Sequence, residues 1–302
     1  MKFLENLLND PAKLLLTPYD TLLKWRFSRE QIIRVKSLCE NEPFLETAGE
    51  YFEHEEKFKQ IKFRAASLDN ITRGGIDVGS VTEIYGEAGS GKTQLCLQLS
   101  LSCILPVRND GLDGKVVYMT TDKHFPITRY VQMANLTKKS LKANKIDFMA
   151  NTFIAKFNNP DVLRIYIREK LPAQLTEHPE IKLVVIDSIA GIFRIVDDFI
   201  ERAKMMRWVV NELEKLAGFY NFVIVATNHV TANILGTGTS SNKAALGLTW
   251  NKQVTTRLEV QKAPQIFTFE REQARSLRVI YSPRLPVGHA MFRITESGID
   301  SF

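Results

Sequence analysis

A glycine-rich stretch in the first third of the chain has the residue types and spacing of a phosphate-binding loop. The sequence "GEAGSGKT", residues 86–93, fits the pattern G-x-x-x-x-G-K-[ST], with an apolar strand pattern before it and a helical pattern after it. Glycines let backbone N–H groups turn onto phosphate oxygens, Lys92 brings a positive charge, and Thr93 offers a hydroxyl to Mg²⁺. The pattern therefore predicts a site for ATP and Mg²⁺; a tight glycine turn into a buried helix is the structural alternative. The expected contacts are Gly86, Glu87, Ala88, Gly89, Ser90, Gly91, Lys92, Thr93 and Gln94.

Two acids follow apolar strand patterns further along the chain. Asp187 comes after four aliphatic residues in "LVVIDS", and beside a phosphate-binding loop it is expected to hold the water shell of Mg²⁺. Asp122 comes after "VVYMTT". In one large group of ATPases with this loop, a carboxylate at that place orients the attacking water. An acid that caps the next turn is the alternative for Asp122.

Strand and helix patterns alternate from about residue 63 onward. The strand patterns "SVTEIYG", "KVVYMTT", "IKLVVIDS" and "NFVIVATN" are separated by helical patterns such as "ERAKMMRWVVNELEKLAGFY". This alternation predicts βαβ units and a mostly parallel sheet flanked by helices, in the α/β class. Three further strand patterns, "KQVTTRLEVQK", "SLRVIYS" and "AMFRIT", are expected to form an antiparallel edge, and residues 231–247 a loop.

The composition favours a globular protein of more than one part. The 302 residues are 44% hydrophobic and 25% charged, with a formal charge of +6 that suits an anionic partner. The predicted parts are a small helical domain (1–40), a charged linker (41–62) and an ATPase domain (63–302). Cys39, Cys96 and Cys103 lack metal-ligand spacing and are expected to be buried thiols in a reducing compartment. No apolar run approaches the roughly 20 residues that span a bilayer.

Several segments together resemble the eukaryotic RecA-like recombinases. They are residues 74–100, "LVVIDSIAGIFR" (183–194), "ALGLTWNKQVTTRL" (245–258) and "SLRVIYSPRLPVGHAMFRITESGI" (276–299). The tryptophan in "LGLTW", and "YSPRLP" without an aspartate before the serine, are more like the paralogue branch of that family. The resemblance covers roughly residues 40–299. It implies a RecA-like ATPase core and a nuclear role, with the cytoplasm as a second compartment, in homologous recombination. There the chain would join another paralogue and support the recombinase filament.

The resemblance also assigns roles to individual residues. Arg129 matches the arginine that stacks on adenine, although an ordinary exposed helix position is the alternative. Asp122 stands where the family has a catalytic glutamate, so its carboxylate is roughly 1.5 Å shorter. His229 replaces the glutamine that senses the γ-phosphate. With Lys92, these residues form the expected catalytic group, and slow ATP hydrolysis is predicted.

Contacts with other macromolecules are expected at four places. Positions that face a neighbouring subunit in the family's filaments fall on Tyr281 and Lys252; for Lys252 a solvent position is the alternative. The segment "FLETA" resembles an oligomerisation tether, with Phe44 or Leu45 and Ala48 as its plugs, or else it belongs to an amphipathic linker helix. The first DNA loop carries Asp197 and Asp198 and the second carries one cation, Lys243, so unaided DNA binding should be weak and salt-sensitive.

Two rival functions remain at this point. A self-sufficient strand-exchange ATPase would need the family's glutamate and glutamine, which are Asp122 and His229 here. A P-loop kinase for a small molecule would need an arginine-rich lid, and residues 122–180 contain no such pattern.

Overall fold

The structure is a computed structural model that describes residues 22, 24, 25, 27, 28, 47–49, 60–121, 124–142, 145–231, 243–263 and 274–302. The helices within these ranges are α1 (Ala66–Ile71), α2 (Lys92–Ile104), α3 (Ile127–Ser140), α4 (Pro160–Ile165), α5 (Leu171–Glu177), α6 (Ile189–Phe193), α7 (Phe199–Tyr220) and α8 (Gly247–Asn251). A π-helical turn, Tyr166–Lys170, joins α4 to α5. The strands are β1 (Val81–Gly86), β2 (Lys115–Thr120), β3 (Thr152–Lys156), β4 (Ile181–Asp187), β5 (Val223–Thr231), β6 (Lys243–Ala244), β7 (Thr256–Lys262), β8 (Arg275–Tyr281), β9 (Gly288–Thr295) and β10 (Gly298–Ser301).

The strands form one sheet in the order β10-β9-β8-β7-β1-β5-β4-β2-β3, with β6 paired to β5. The strands from β7 to β3 in this order are parallel, and β8, β9 and β10 add an antiparallel edge. The predicted mostly parallel sheet is confirmed. The predicted antiparallel pairing of the three C-terminal strands is confirmed, since β7 pairs antiparallel with β8 and β8 with β9, and on its other side β7 runs parallel to β1. The segment after β5, including α8, has by then returned the chain to the amino edge of the sheet.

Successive residues of the central strands alternate between two buried clusters. In β2, Val116 and Tyr118 belong to the cluster that contains α2 and α3. Val117 and Met119 belong to the cluster on the other face, which contains α4, α5 and α7. Because both faces of the sheet are covered, its central strands are mostly apolar, with a few buried polar residues such as Glu83 in β1.

Three strands have no counterpart among the predicted elements: the two-residue β6, which lies within the predicted loop 231–247, and the edge strands β3 and β10. Strand β3 has only five residues, all half-buried or exposed, so its hydrophobic pattern is weak. Strand β10 has four residues and returns from β9 across a short turn. Both lie at the edges of the sheet, where burial on two faces no longer marks a strand in the sequence.

Ile61 and two of the cysteines belong to the buried core. Ile61 forms an antiparallel bridge with Ile76 and is 1% exposed. Cys96 and Cys103 are buried free thiols, as predicted, whereas Cys39 lies outside the described residues. In the part of the chain that the structure describes, no helix combines the length and the apolar character needed to cross a membrane.

Candidate nucleotide-binding site

The carboxyl ends of four strands meet at one edge of the sheet. Gly86 at the end of β1 is in register with His229 in β5, and Thr120 at the end of β2 is in register with Asp187 in β4. In open α/β sheets, ligands bind at this edge, where the chain leaves the strands in different directions. The order of the strands therefore brings together residues that lie far apart in the sequence.

The loop between β1 and α2 has the shape of a phosphate cradle. A Cβ on Gly86 would lie 2.1 Å from the Val260 carbonyl oxygen, so only glycine fits there. Gly91 has φ +115° and directly precedes α2, which begins at Lys92. The unpaired N–H groups at a helix start attract anions. The Ser90 hydroxyl is buried and has no hydrogen-bond partner among the described residues, so the loop keeps a donor for a ligand.

Lys92 lies within the loop. Its side chain is 7% exposed, and its Nζ donates to the carbonyl oxygens of Gly86 and Glu87, at 2.8 Å each. These bonds hold a buried ammonium group at the inner wall of the cradle. A phosphate that entered the cradle would meet this charge directly.

Asp187 is surrounded by hydroxyl groups from three elements. Its Oδ2 accepts hydrogen bonds from Thr93 Oγ1 at 2.9 Å and from Tyr118 OH at 2.7 Å, and its Oδ1 accepts one from Thr227 Oγ1 at 2.6 Å. Tyr118 is fully buried, and burial, followed by the nearby Asp187 charge, raises the pKa of its phenol well above the usual value. The phenol therefore stays protonated and donates to the carboxylate at neutral pH.

The oxygens of Thr93 and Asp187 fit a magnesium ion. Mg²⁺ prefers hard oxygen ligands, keeps several waters, and is commonly held by one or two protein oxygens together with phosphates. The 2.9 Å separation lets one ion contact the hydroxyl directly and the carboxylate through water. Neither residue is fully buried, so both stay accessible from the cleft.

The cradle opens into a cleft of about 350 Å³. This volume lies within the roughly 300–1,000 Å³ of small-molecule sites. Its lining includes most of the predicted nucleotide contacts and adds residues from β2, from the segment after it, and from β5. The lining residues are Ala88, Gly89, Gly91, Lys92, Thr93, Gln94, Tyr118, Thr120, His124, Pro126, Asp187, Ser188 and His229.

Arg129 lies beside the cleft near the start of α3. Its guanidinium donates to Gln94 Oε1 at 2.8 Å, to the carbonyl oxygens of Thr295 and Glu296 at 2.5 and 2.8 Å, and to Gln132 Oε1 at 2.7 Å. Desolvation lowers the pKa of the guanidinium. Because guanidinium N–H groups lie in the plane of the group, these bonds fix its orientation and leave its faces for stacking. The predicted contact with adenine stays a prediction.

Comparison with known proteins identifies the family of this chain. The Rad51 family model matches residues 55–302. The chain belongs to the Rad51 family. It is also 31% identical to the DNA repair protein XRCC3 of Bos taurus, over 81% of this chain and 75% of that protein. The predicted kinship with RecA-like recombinase paralogues is thereby confirmed, and so is the fold class.

A buried polar network lies behind the phosphate loop of this Rad51-family chain. Glu83 in β1 is 0% exposed; its Oε1 accepts from Asn228 Nδ2 at 2.7 Å and from Trp250 Nε1 at 2.6 Å. Its Oε2 accepts from Arg257 Nε at 2.5 Å. Asn228 also donates to the Ala245 carbonyl oxygen at 2.8 Å. The network joins β1, the strand that leads into the loop, to α8 and to β5 and β7, the strands on either side of β1.

His229 is fixed at both of its backbone polar groups. Its N–H donates to Asn228 Oδ1 at 2.8 Å, and its carbonyl oxygen accepts from the Ala245 N–H at 2.7 Å. Its side chain lines the cleft. The chain that returns from the second loop is therefore hydrogen-bonded to the residue that the family resemblance predicts near the γ-phosphate.

Several predicted residues lie away from the cleft or outside the described ranges. Asp122, Phe44 and Leu45 are outside the described residues, and Ala48 is exposed. Lys252 is exposed in the turn after α8, and the Tyr281 hydroxyl donates to the Val254 carbonyl oxygen. Neither Lys252 nor Tyr281 lines the cleft. Both would have to act across an interface, and this role stays a prediction.

The acidic first loop has a structural role that the sequence reasoning missed. Asp198 is the N-cap of α7, where its Oδ1 accepts from the N–H groups of Ile200 and Glu201 at 2.7 and 3.0 Å. These backbone hydrogen bonds lower the pKa of the Asp198 carboxyl group. The sequence signal was available, since an aspartate three residues before a glutamate at a helix start is a capping pattern.

The sequence reasoning also missed Tyr118 and Thr227 as partners of Asp187. Both come from strands that were predicted to belong to a mostly parallel sheet. Which hydroxyls turn toward the carboxylate depends on the register between neighbouring strands, and no single segment encodes that register.

Proposed function

We propose that this chain binds Mg-ATP and assembles with another RecA-like recombinase paralogue to support the strand-exchange filament in homologous recombination and DNA repair. The kinship with a protein named for DNA repair supports this role. The observation that carries the nucleotide part is the grouping of Lys92, Thr93 and Asp187 at one edge of the sheet. The proposed place of action is the nucleus, with the cytoplasm as a second compartment.

Under this proposal ATP acts chiefly as a ligand and is hydrolysed slowly. The groups proposed to hold the nucleotide keep the chemistry of the family: Lys92 has the charge, and Thr93 and Asp187 have the hard oxygens. The groups proposed to promote hydrolysis depart from it, with Asp122 in place of a glutamate and His229 in place of a glutamine. A displacement of about 1 Å in a positioned catalytic group can lower a rate around a hundredfold.

The edges of the sheet support assembly with a partner. Strand β3 pairs only with β2 among the described strands, and its Ile154 is 49% exposed. An unpaired edge with an apolar side chain can accept a strand from another protein. At the other end of the protein, Lys252 and Tyr281 are exposed and are proposed to meet a neighbouring subunit.

Lys92→Ala tests whether nucleotide binding controls assembly. The variant should lose ATP binding and should co-purify with less of a RecA-like paralogue in the presence of Mg-ATP. Lys215→Ala is the matched control, because it removes a lysine from an exposed helix position whose ion-pair partner among the described residues is Glu212. If Lys92→Ala binds no ATP but retains its partner fully, ATP does not act as the ligand of the interface.

Asp122→Glu tests the cause of slow hydrolysis. If the short carboxylate limits the rate, the longer one should raise the steady-state ATPase rate at least about tenfold. An unchanged rate would mean that His229 or the neighbour contacts set the limit. The rival function, a self-sufficient strand-exchange ATPase, requires that the unaltered chain alone form filaments on single-stranded DNA and hydrolyse ATP at a DNA-stimulated rate. That result would overturn the proposed function.

A further inference from the structure

Helix α3 and the turn after it hold an unusual share of the positive charge of the chain. Residues 127–146, "ITRYVQMANLTKKSLKANKI", contain five basic side chains and no acidic one. The whole chain has 40 lysines and arginines and 34 aspartates and glutamates, so the rest of it carries 35 basic and 34 acidic side chains. Nearly all of the net charge of +6 is therefore placed in this one segment.

Four lysines of the segment form what we call the α3 lysine patch: Lys138, Lys139, Lys142 and Lys145. Three of them, Lys139, Lys142 and Lys145, are exposed. Within the described ranges, none of the four forms an ion pair with a carboxylate. Their charges are therefore available for an anionic partner.

The residues nearest to the patch do not form ion pairs with its lysines within the described ranges. Lys138 Nζ lies 5.9 Å from the centre of the buried Phe148 ring. The acid nearest in sequence is Asp147, and its Oδ1 accepts from the N–H groups of Met149 and Ala150 at 3.0 and 3.1 Å. The negative end of the α3 dipole accounts for some of the preference for cations, but this effect falls off within the last turn. Lys142 and Lys145 lie beyond the end of α3 at Ser140.

The patch lies at the end of the sheet opposite to the cleft. Strands β2 and β3 are parallel, so α3 must carry the chain from the carboxyl edge back to the amino edge. The phosphate loop and both predicted DNA loops follow the carboxyl ends of strands. A ligand on the α3 lysine patch therefore would not compete with a nucleotide in the cleft.

We propose that the α3 lysine patch binds the phosphate backbone of duplex DNA. The choice of DNA rests on the proposed function; the site rests on the charge distribution. Lysines act as point charges for phosphate and require no particular base. The aromatic residues nearest to the patch in sequence, Tyr130 and Phe148, are buried, and exposed aromatic side chains are what proteins use to stack the bases of single strands. The patch also adds four cations to the single cation, Lys243, of the second predicted DNA loop.

The salt dependence of duplex binding tests this site. Each phosphate contact contributes about −0.9 to the slope of log K against log salt concentration. The variant Lys139→Gln/Lys142→Asn should therefore reduce the magnitude of the slope by about 1.8. Between 50 and 200 mM salt, the unaltered chain should lose about twelvefold more affinity than this variant. Asparagine is chosen at position 142 because the backbone there has φ +51°.

The matched control is Lys170→Gln/Lys215→Gln, which removes the same charge from exposed positions on the opposite face of the sheet. The control should keep the slope of the unaltered chain, and equal melting temperatures would show that both variants fold. The proposal is overturned if the two double variants lower the slope equally, if the slope is unchanged by Lys139→Gln/Lys142→Asn, or if the full chain does not bind duplex DNA at 50 mM salt.

Two further measurements separate this proposal from others. Loss of the paralogue partner with an unchanged duplex slope would assign the patch to an acidic protein surface and would overturn it. ATP binding, measured with a fluorescent analogue, should be the same in the unaltered chain and both variants. A second outcome is that the unaltered chain binds no ATP while Lys139→Gln/Lys142→Asn still lowers the duplex slope as predicted. In that case the proposed function would fail, but the proposal for the α3 lysine patch would stand.

Discussion

The substitution Glu83→Gln tests how strongly the buried network holds the domain behind the phosphate loop. It keeps the size of the side chain and removes its negative charge. Arg257 is 8% exposed and would remain as a buried cation that has lost the carboxylate paired with it. Removing one partner of a buried ion pair costs about 3–5 kcal/mol, because the other charge is left uncompensated.

This cost predicts a large change in melting temperature. For a domain of this size, about 1 kcal/mol in the free energy of unfolding corresponds to roughly 2–4 °C, so Glu83→Gln should lower the melting temperature by about 6–20 °C. Trp250→Phe keeps the ion pair and removes one donor to a charged group, which costs about 1.5–3 kcal/mol. Its effect should therefore be smaller. Circular dichroism during heating measures both variants.

The control for this series is Asp110→Asn, which breaks an ion pair at the surface. Asp110 and Lys62 are 2.8 Å apart, and their side chains are 68% and 42% exposed. An exposed pair contributes about 0–1 kcal/mol, so the melting temperature should fall by no more than about 4 °C. If Glu83→Gln has no larger effect than Asp110→Asn, the network does not stabilise the domain and the reasoning from burial is wrong.

Two further predictions concern buried groups. Tyr118→Phe removes the hydroxyl that holds Asp187, so affinity for Mg-ATP should fall about tenfold while affinity for ATP in EDTA stays unchanged; an equal fall in both would contradict the metal role. Burial raises the pKa of the Cys96 and Cys103 thiols well above the usual value, so at pH 8 iodoacetamide should label them only after denaturation, as peptide mapping would show. Since the unfolded thiols ionise first, their burial should also make the folded state less stable as pH rises past about 8.5. Labelling of the native protein at either cysteine would contradict this.

The parts of the site that are contiguous in sequence could be predicted from it. The phosphate loop is one segment whose glycines and lysine must be neighbours, and its pattern names its own residues. The central strands could also be predicted, since burial on both faces leaves continuous apolar runs. Strands β3 and β10 could not, because an edge strand needs neither a long apolar run nor a strict alternation.

The contacts between segments needed the fold. Glu83 is a single acid inside an apolar strand pattern. Such a residue indicates that a buried partner exists, but the sequence does not identify that partner. Its three partners lie 145, 167 and 174 residues further along the chain. Only the strand order, with β1 between β5 and β7, brings them to one carboxylate.

The same strand order separates two sets of groups that the proposed function treats differently. Thr93 and Asp187 are joined by a direct hydrogen bond, and two further hydroxyls hold the carboxylate, so this set has its geometry before any nucleotide enters. The His229 backbone is hydrogen-bonded to the Asn228 side chain and to Ala245, in the segment that returns from the second loop. A ligand that contacts the His229 side chain would therefore act on a residue that is hydrogen-bonded to this returning segment. A ligand that contacts only Thr93 and Asp187 would not. Under the proposed function, the γ-phosphate is the group of ATP that would influence the second loop, and the bound Mg²⁺ would stabilise binding of the nucleotide.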